Sequence, residues 1–186
     1  MFKPQQVIVV LGLGAGQSTG AAVAVALVAR GVETVNKLAE ELKAAGGDAS
    51  PFPAATYSAK DIQEVWASIR TKYPSPNYII NAAVFNAAHG VWKPFLDVTP
   101  EDIRTSLEVN VEAAFAFSRE AILTFKENDV LEPKGKRGTL IFTGATASIR
   151  GNVVTSAFAA GKHGLRALSQ SLAKEFGKQN IHVRSV

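Results

Sequence analysis

The chain predicts an α/β protein, a parallel sheet with helices packed over it, built as one domain over residues 1–186. Three observations predict it. Apolar runs of strand length alternate with segments of helical period along the whole sequence. A glycine-rich turn directly follows the first apolar run, and no repeat or low-complexity linker divides the chain. With 186 residues and 47% hydrophobic content, the chain has the size and composition of one domain with one packed core.

The first strand is expected over 6–11, where Val and Ile dominate. Lys3 before an apolar run has the look of a leader peptide, but the run is short and ends in glycines, so the strand is the better reading. The loop "GLGAGQSTGAA" follows, with Gly12, Gly14, Gly16 and Gly20. In this context backbone N–H groups and a helix N-terminus can cradle a pyrophosphate. The spacing is not G-x-G-x-x-G; from Gly14 it reads G-x-x-x-S-x-G, with Ser18 inside. Between Gly20 and Gly31 only one element fits, because a crossover between parallel strands needs a dozen or more residues. Either 21–30 is the first helix and the second strand is absent, or "VALVARG" is the second strand, ending at Arg30, and the helix is almost absent. Ala and Leu content favours the helix.

A helix near 33–45 is closed by "AAGG", and a strand is expected over 49–54. A helix near 60–73 leads to a strand over 78–83. "TPED" at 99–102 offers a Thr N-cap, Pro in the first turn and acids beside it, opening a helix over 100–127. The basic run "PKGKRG" reads as a solvated loop before a strand over 139–143; a helix over 156–178 and a strand over 182–186 finish the chain.

Composition excludes several functions. The net charge of +4 is scattered, with no basic–aromatic interleaving, so nucleic-acid binding is not expected. The absence of cysteine removes disulfides, thiol nucleophiles and thiolate zinc sites. His89, His163 and His182 are isolated, so no metal site is expected. No stretch reaches the length of a membrane span, and a cytoplasmic location is expected.

A set of segments then falls in a recognisable order: the glycine loop, "NAA" at 81–83, "PFLDVTPEDIRTSLEVN" ending in Asn110, "GTLIFTGATAS", "FAAGK" at 158–162 and "LAKEFGKQNIHVRSV". Over nearly its whole length the chain resembles the short-chain dehydrogenases/reductases, whose loop is G-x-x-x-G-x-G with Ser18 here at the middle glycine. The resemblance implies a Rossmann-type doubly wound parallel sheet with helices on both faces and strand order 3-2-1-4-5-6, incomplete at the second strand or first helix and at the C-terminus, where Val186 falls inside the sixth strand. It implies NAD(H) or NADP(H) across the C-terminal strand ends, with Gly14, Ser18 and Gly20 at the phosphates and Asn81 lining the crevice after the fourth strand. Asn110 would hold a helical kink and its water, and Lys162 the nicotinamide ribose. The resemblance favours the strand reading of "VALVARG", and Arg30 at the end of that strand would favour NADP(H) over NAD(H), since an acid there would bind the ribose hydroxyls.

The departures bear on chemistry. Phe158 stands four residues before Lys162, where the family carries the tyrosine that is its acid and base. The family's serine falls at Ala145, leaving Ser148 or Thr143 as the nearest hydroxyls. Ala83 replaces a glycine, and Ala55 an aspartate at the adenine. The expected function is NAD(P)-dependent oxidoreduction of a small carbonyl or alcohol, carried by Lys162, Asn110 and Ser148 and impaired by the missing phenol. The alternative is a non-catalytic nucleotide-binding or subunit-interaction protein; the helices over 100–127 and 156–178, with the stripe "VEAAFAFSREAILTF", would make a homo-oligomer face.

Overall fold

In the computed structural model, which describes residues 5–12, 26–131 and 135–186, the alternation of side chains along one central strand sets the layers. In β1 (Gln5–Leu11), Val7, Val9 and Leu11 face one core while Ile8 and Val10 face a second. The strands β2 (Ala26–Arg30), β3 (Ser50–Ala54), β4 (Tyr78–Phe85), β5 (Gly138–Phe142) and β6 (Ile181–Ser185) join it in the order β3-β2-β1-β4-β5-β6. Every pairing is parallel.

The helices cover both faces. On one, α1 (Val32–Ala44) buries Val35 and Ala39 against Val10, Leu27 and Ala29. On the other lie α2 (Ala59–Lys72), α4 (Ala113–Glu127) and α5 (Ser156–Phe176). Their larger core centres on Phe117, whose ring lies 5.5 Å from Trp66 and 5.7 Å from Phe85; Phe85 in turn lies 6.2 Å from Phe142. These tilted contacts join α2, α4, β4 and β5. Among the described residues no helix is long and apolar enough to cross a membrane.

Local chemistry explains the ends of the elements. Ser58 accepts from Asp61 N to cap α2, and Thr99 and Asp102 form a capping box at α3 (Pro100–Leu107). The edge strand β3 carries Pro51 and Pro53, which offer no N–H to a further strand.

One open choice is resolved and two expectations change. The second strand is present: residues 26–30 pair with both β1 and β3, so the sheet has no gap there. Ala26 to Ala29 are buried on both sides, and that burial overrides the helical leaning of Ala and Leu. Of the alternative helix over 21–30, residues 26–30 are strand and 21–25 lie outside the described residues. The strand expected over 78–83 runs on to Phe85, and the helix over 100–127 is interrupted by a π-helical turn at Glu108–Glu112.

Phe117→Ala removes the ring that joins the sheet to two helices and is expected to cost about 3–5 kcal/mol, the usual range for a buried Phe. The midpoint of urea unfolding checks it; a loss below about 1 kcal/mol would mean the core closes over the gap.

Candidate active site

The site is assembled at the carboxyl ends of the parallel strands. Gly12 follows β1, Asn86 follows β4 and Thr143 follows β5, while Arg30 is the last residue of β2. Because the strand order reverses between β1 and β4, the switch point of the sheet lies at this edge.

Helix α5 brings Phe158 and Lys162 to this edge, one turn apart on the same face. Lys162 is 3% exposed, and its Nζ donates to the carbonyl oxygen of Thr143 at 2.9 Å. Burial pushes its ammonium below the ordinary lysine value. Nζ lies 6.0 Å from the Phe158 ring centre, and that ring packs on Trp92 at 5.5 Å with 41° between planes. The position thus holds aromatic packing and has no hydroxyl.

Asn110 lies on the π-helical turn and is fully buried. Its Nδ2 donates to Ser106 O and to His89 O, each at 2.9 Å, and its Oδ1 has no partner among the described residues. A buried acceptor left open in this way is rare and fits a donor brought by a water or ligand. Ser106 Oγ donates to Ala157 O at 2.9 Å, which ties α3 to the start of α5. A Cβ at Gly161 would approach Asn110 Cβ to 3.0 Å, so only glycine lets α5 lie this close to the turn.

Ser148 is brought near but turned away. It is 4% exposed, and its Oγ accepts from Ala145 N at 3.0 Å, closing the turn at Thr146–Ser148. The cavity of about 250 Å³ beside Phe158 is lined by Ala145, Thr146, Ala147, Thr155 and Trp92, without Ser148. The candidate serine is therefore a turn-closing residue in this geometry, because its oxygen is bound within its own loop.

The Asn-Ala-Ala turn also moves. Asn81 lies inside β4, at a bulge where Val7 pairs with Ile80 and Ile8 with Ala82, so it is not in a turn after the strand. The same three letters recur at 86–88, and those residues follow β4. Asn86 N donates to Leu11 O at 2.7 Å and its Nδ2 to Gly12 O at 2.6 Å, which fastens the end of β4 to the start of the glycine loop. Arg30 is exposed with its guanidinium 4.7 Å from the Tyr57 ring centre, a cation–π contact that aims it across the end of β2. Gly14, Ser18 and Gly20 lie outside the described residues. Trp92 and Arg150, which also line the cavity, carried no motif signal; only their place beside Phe158 singles them out.

Fold and site together define a doubly wound α/β protein of the dinucleotide-binding kind. The chain belongs to the short-chain dehydrogenase family, whose model matches residues 8–186. It is 28% identical over 161 residues to the 3-oxoacyl-[acyl-carrier-protein] reductase of Bos taurus, covering 87% of this chain and 62% of that one. It is 30% identical over 190 residues to dehydrogenase/reductase SDR family member 11 of Gallus gallus, covering 95% of this chain and 71% of that one. The chain thus spans between about three fifths and three quarters of these relatives. A short-chain dehydrogenase from Rhodopseudomonas palustris superposes with a TM-score of 0.80 at 29% identity, over 97% of this chain and 82% of that one.

The sign of the Lys162 shift yields a pH test. Its folded value is lowered, so below that value the folded state carries a buried ammonium at full cost. As pH rises from the lowered value to the ordinary one, the folded state gives up its proton first and stability climbs. The melting temperature of Lys162→Met minus that of wild type should therefore fall as pH rises toward about 10.5, the ordinary lysine value. A difference that stays flat over that range would mean the ammonium is not penalised.

Proposed function

We propose that this chain is an NAD(P)-dependent oxidoreductase of the short-chain type, moving hydride between a nicotinamide and a small carbonyl or alcohol, with NADP(H) preferred and turnover held back by the missing acid. The observation that carries this reading is Lys162, a buried cation bonded to Thr143 O at the carboxyl end of β5 and set one helix turn from Phe158, which lines the cavity.

The residues present fit such a cofactor. Lys162 would hold the nicotinamide ribose, Asn86 would keep the first turn of the glycine loop in place, and Asn110 Oδ1 is an open acceptor for a bound water. Arg30 would meet the extra phosphate of NADP(H), and the reductase names of the 28% and 30% identical relatives are in keeping with a carbonyl substrate. When bound, the cofactor supplies or accepts the hydride. The chain itself must then place a proton on the alkoxide oxygen, and here Phe158 and Ala145 offer none. Positioned general acid catalysis contributes about 10²–10⁴ in rate, so reduction should run slowly on protons from water.

The test is titration of NADPH and NADH, followed by turnover of activated ketones, on wild type, Arg30→Glu and Phe158→Tyr. NADPH should bind more tightly than NADH to wild type, and Arg30→Glu should remove that preference by about tenfold. Phe158→Tyr should raise kcat by about 10² or more. Binding without a gain from the tyrosine would place the acid elsewhere, and absence of binding to either cofactor would overturn the proposal.

A second face supports association of two copies. Between α4 and α5 runs an apolar groove lined by Phe115, Ile122, Leu123, Leu168 and Phe176, in which Phe115 is 57% and Leu123 44% exposed. Arg119 and Lys126 on α4 and Glu175 on α5 line it as well, charges that would pair with their opposites in a second copy related by a two-fold axis. Sedimentation should find a dimer that Leu123→Arg weakens by at least about tenfold; a strictly monomeric wild type at tens of micromolar, roughly the range in which weak dimers are seen, would end this reading.

A further inference from the structure

We infer that the cavity beside Phe158 binds a single-ring aromatic carboxylate, with the ring against Trp92 and the carboxylate on Arg150. In naming the substrate class of the proposed active site the inference rests on that reading of the site.

The aromatic half of the argument is Trp92. It is 66% exposed, an unusual setting for the largest apolar side chain, yet it is held from several directions. Its indole lies directly on Gly90, where any Cβ would overlap the ring, and it packs on Phe158 at 5.5 Å. The neighbouring Lys93 donates its backbone N–H to Val154 O at 2.9 Å and its Nζ to both oxygens of Asp102, at 2.8 and 2.7 Å. Those bonds, the Lys93 ammonium first, lower the Asp102 carboxyl to about 2, so the anchor persists across the working pH range. Val154, on the other side of this contact, has φ of 59°, a strained value for a β-branched residue. A tryptophan fixed in this way is a preformed stacking surface, and a planar ring can meet it without ordering cost.

The charged half is Arg150. It is the one charged residue lining the cavity, and among the described residues it has no carboxylate partner. Lys162 Nζ lies 6.0 Å from the ring centre of Phe158, which lines the cavity, and the lining holds no acid. Two other polar residues of the wall are engaged within their loop: Thr155 Oγ1 donates to Asn152 O and accepts from Asn152 N, and Asn152 Oδ1 accepts from Val153 N. A guanidinium binds a carboxylate through two parallel hydrogen bonds, which a neutral ring cannot offer. A volume of about 250 Å³ suits one substituted ring and is small for a fused system.

The experiment uses 4-acetylbenzoate and its neutral counterpart 4-methylacetophenone, added to the full chain without cofactor and followed by the two tryptophan indole N–H signals in NMR. Trp92 should shift saturably with the acid, while Trp66, which is 1% exposed, serves as the internal control. The neutral ketone should bind at least about tenfold more weakly, and Arg150→Gln, an exposed position whose change does not threaten the fold, should reduce the acid to that level. Equal binding of the two compounds, an unaffected Arg150→Gln, or a Trp92 signal that does not saturate would overturn the inference. Because no cofactor is present, these results stand apart from the outcome of the NADPH titration.

Discussion

One buried amide holds the site together. Asn110 sits on a π-helical turn, where the widened backbone leaves the carbonyl of Ser106 to be bonded by its side chain. The same Nδ2 bonds His89 O, so the loop that carries Trp92 is tied to the turn between α3 and α4. The absence of a side chain at Gly161 lets α5 press on that turn, and α5 delivers Phe158 and Lys162. Three segments distant in sequence thus meet around one side chain, and the relative positions of loop, cation and ring follow from it.

Around this junction the chain keeps the cation and has no phenol. Burying Lys162 costs stability unless its ammonium is bonded, and among the described residues Thr143 O satisfies one of its three donors. The ring at 158 cannot share that charge as a phenolate would; it packs on Trp92 and makes the cavity wall aromatic. With Ala145 as the other substitution, both hydroxyls of the family's pattern are replaced by apolar groups, and polarity in the cavity passes to Arg150 and Thr146. On the proposed reading, such a site would bind and orient its ligands, with proton delivery as its weak step.

Much of this was legible in the letters. The alternation of apolar runs and helical periods gave the α/β class, because period 2 and period 3.6 are dictated by backbone geometry whatever the surroundings. The Thr99 capping box and the Phe158–Lys162 pair were readable for the same reason, since each depends on residues three or four apart on one helix.

What only the tertiary structure decided depends on contacts between segments far apart in sequence. "VALVAR" could be helix or strand until burial between β1 and β3 made residues 26–30 a strand. Two Asn-Ala-Ala triplets were equivalent as letters, and the length of β4 decided that 86–88 stands at the site while Asn81 bulges inside the strand. The bond that Ser148 Oγ accepts from Ala145 N, and the cavity that joins Trp92 to Arg150 from segments some sixty residues apart, are contacts of the fold that the letters do not show. The sequence by itself determined the local periodicities, the caps and the residue types at hand. Which side chains face each other was decided by packing and register, because these are properties of pairs of segments that neither segment encodes alone.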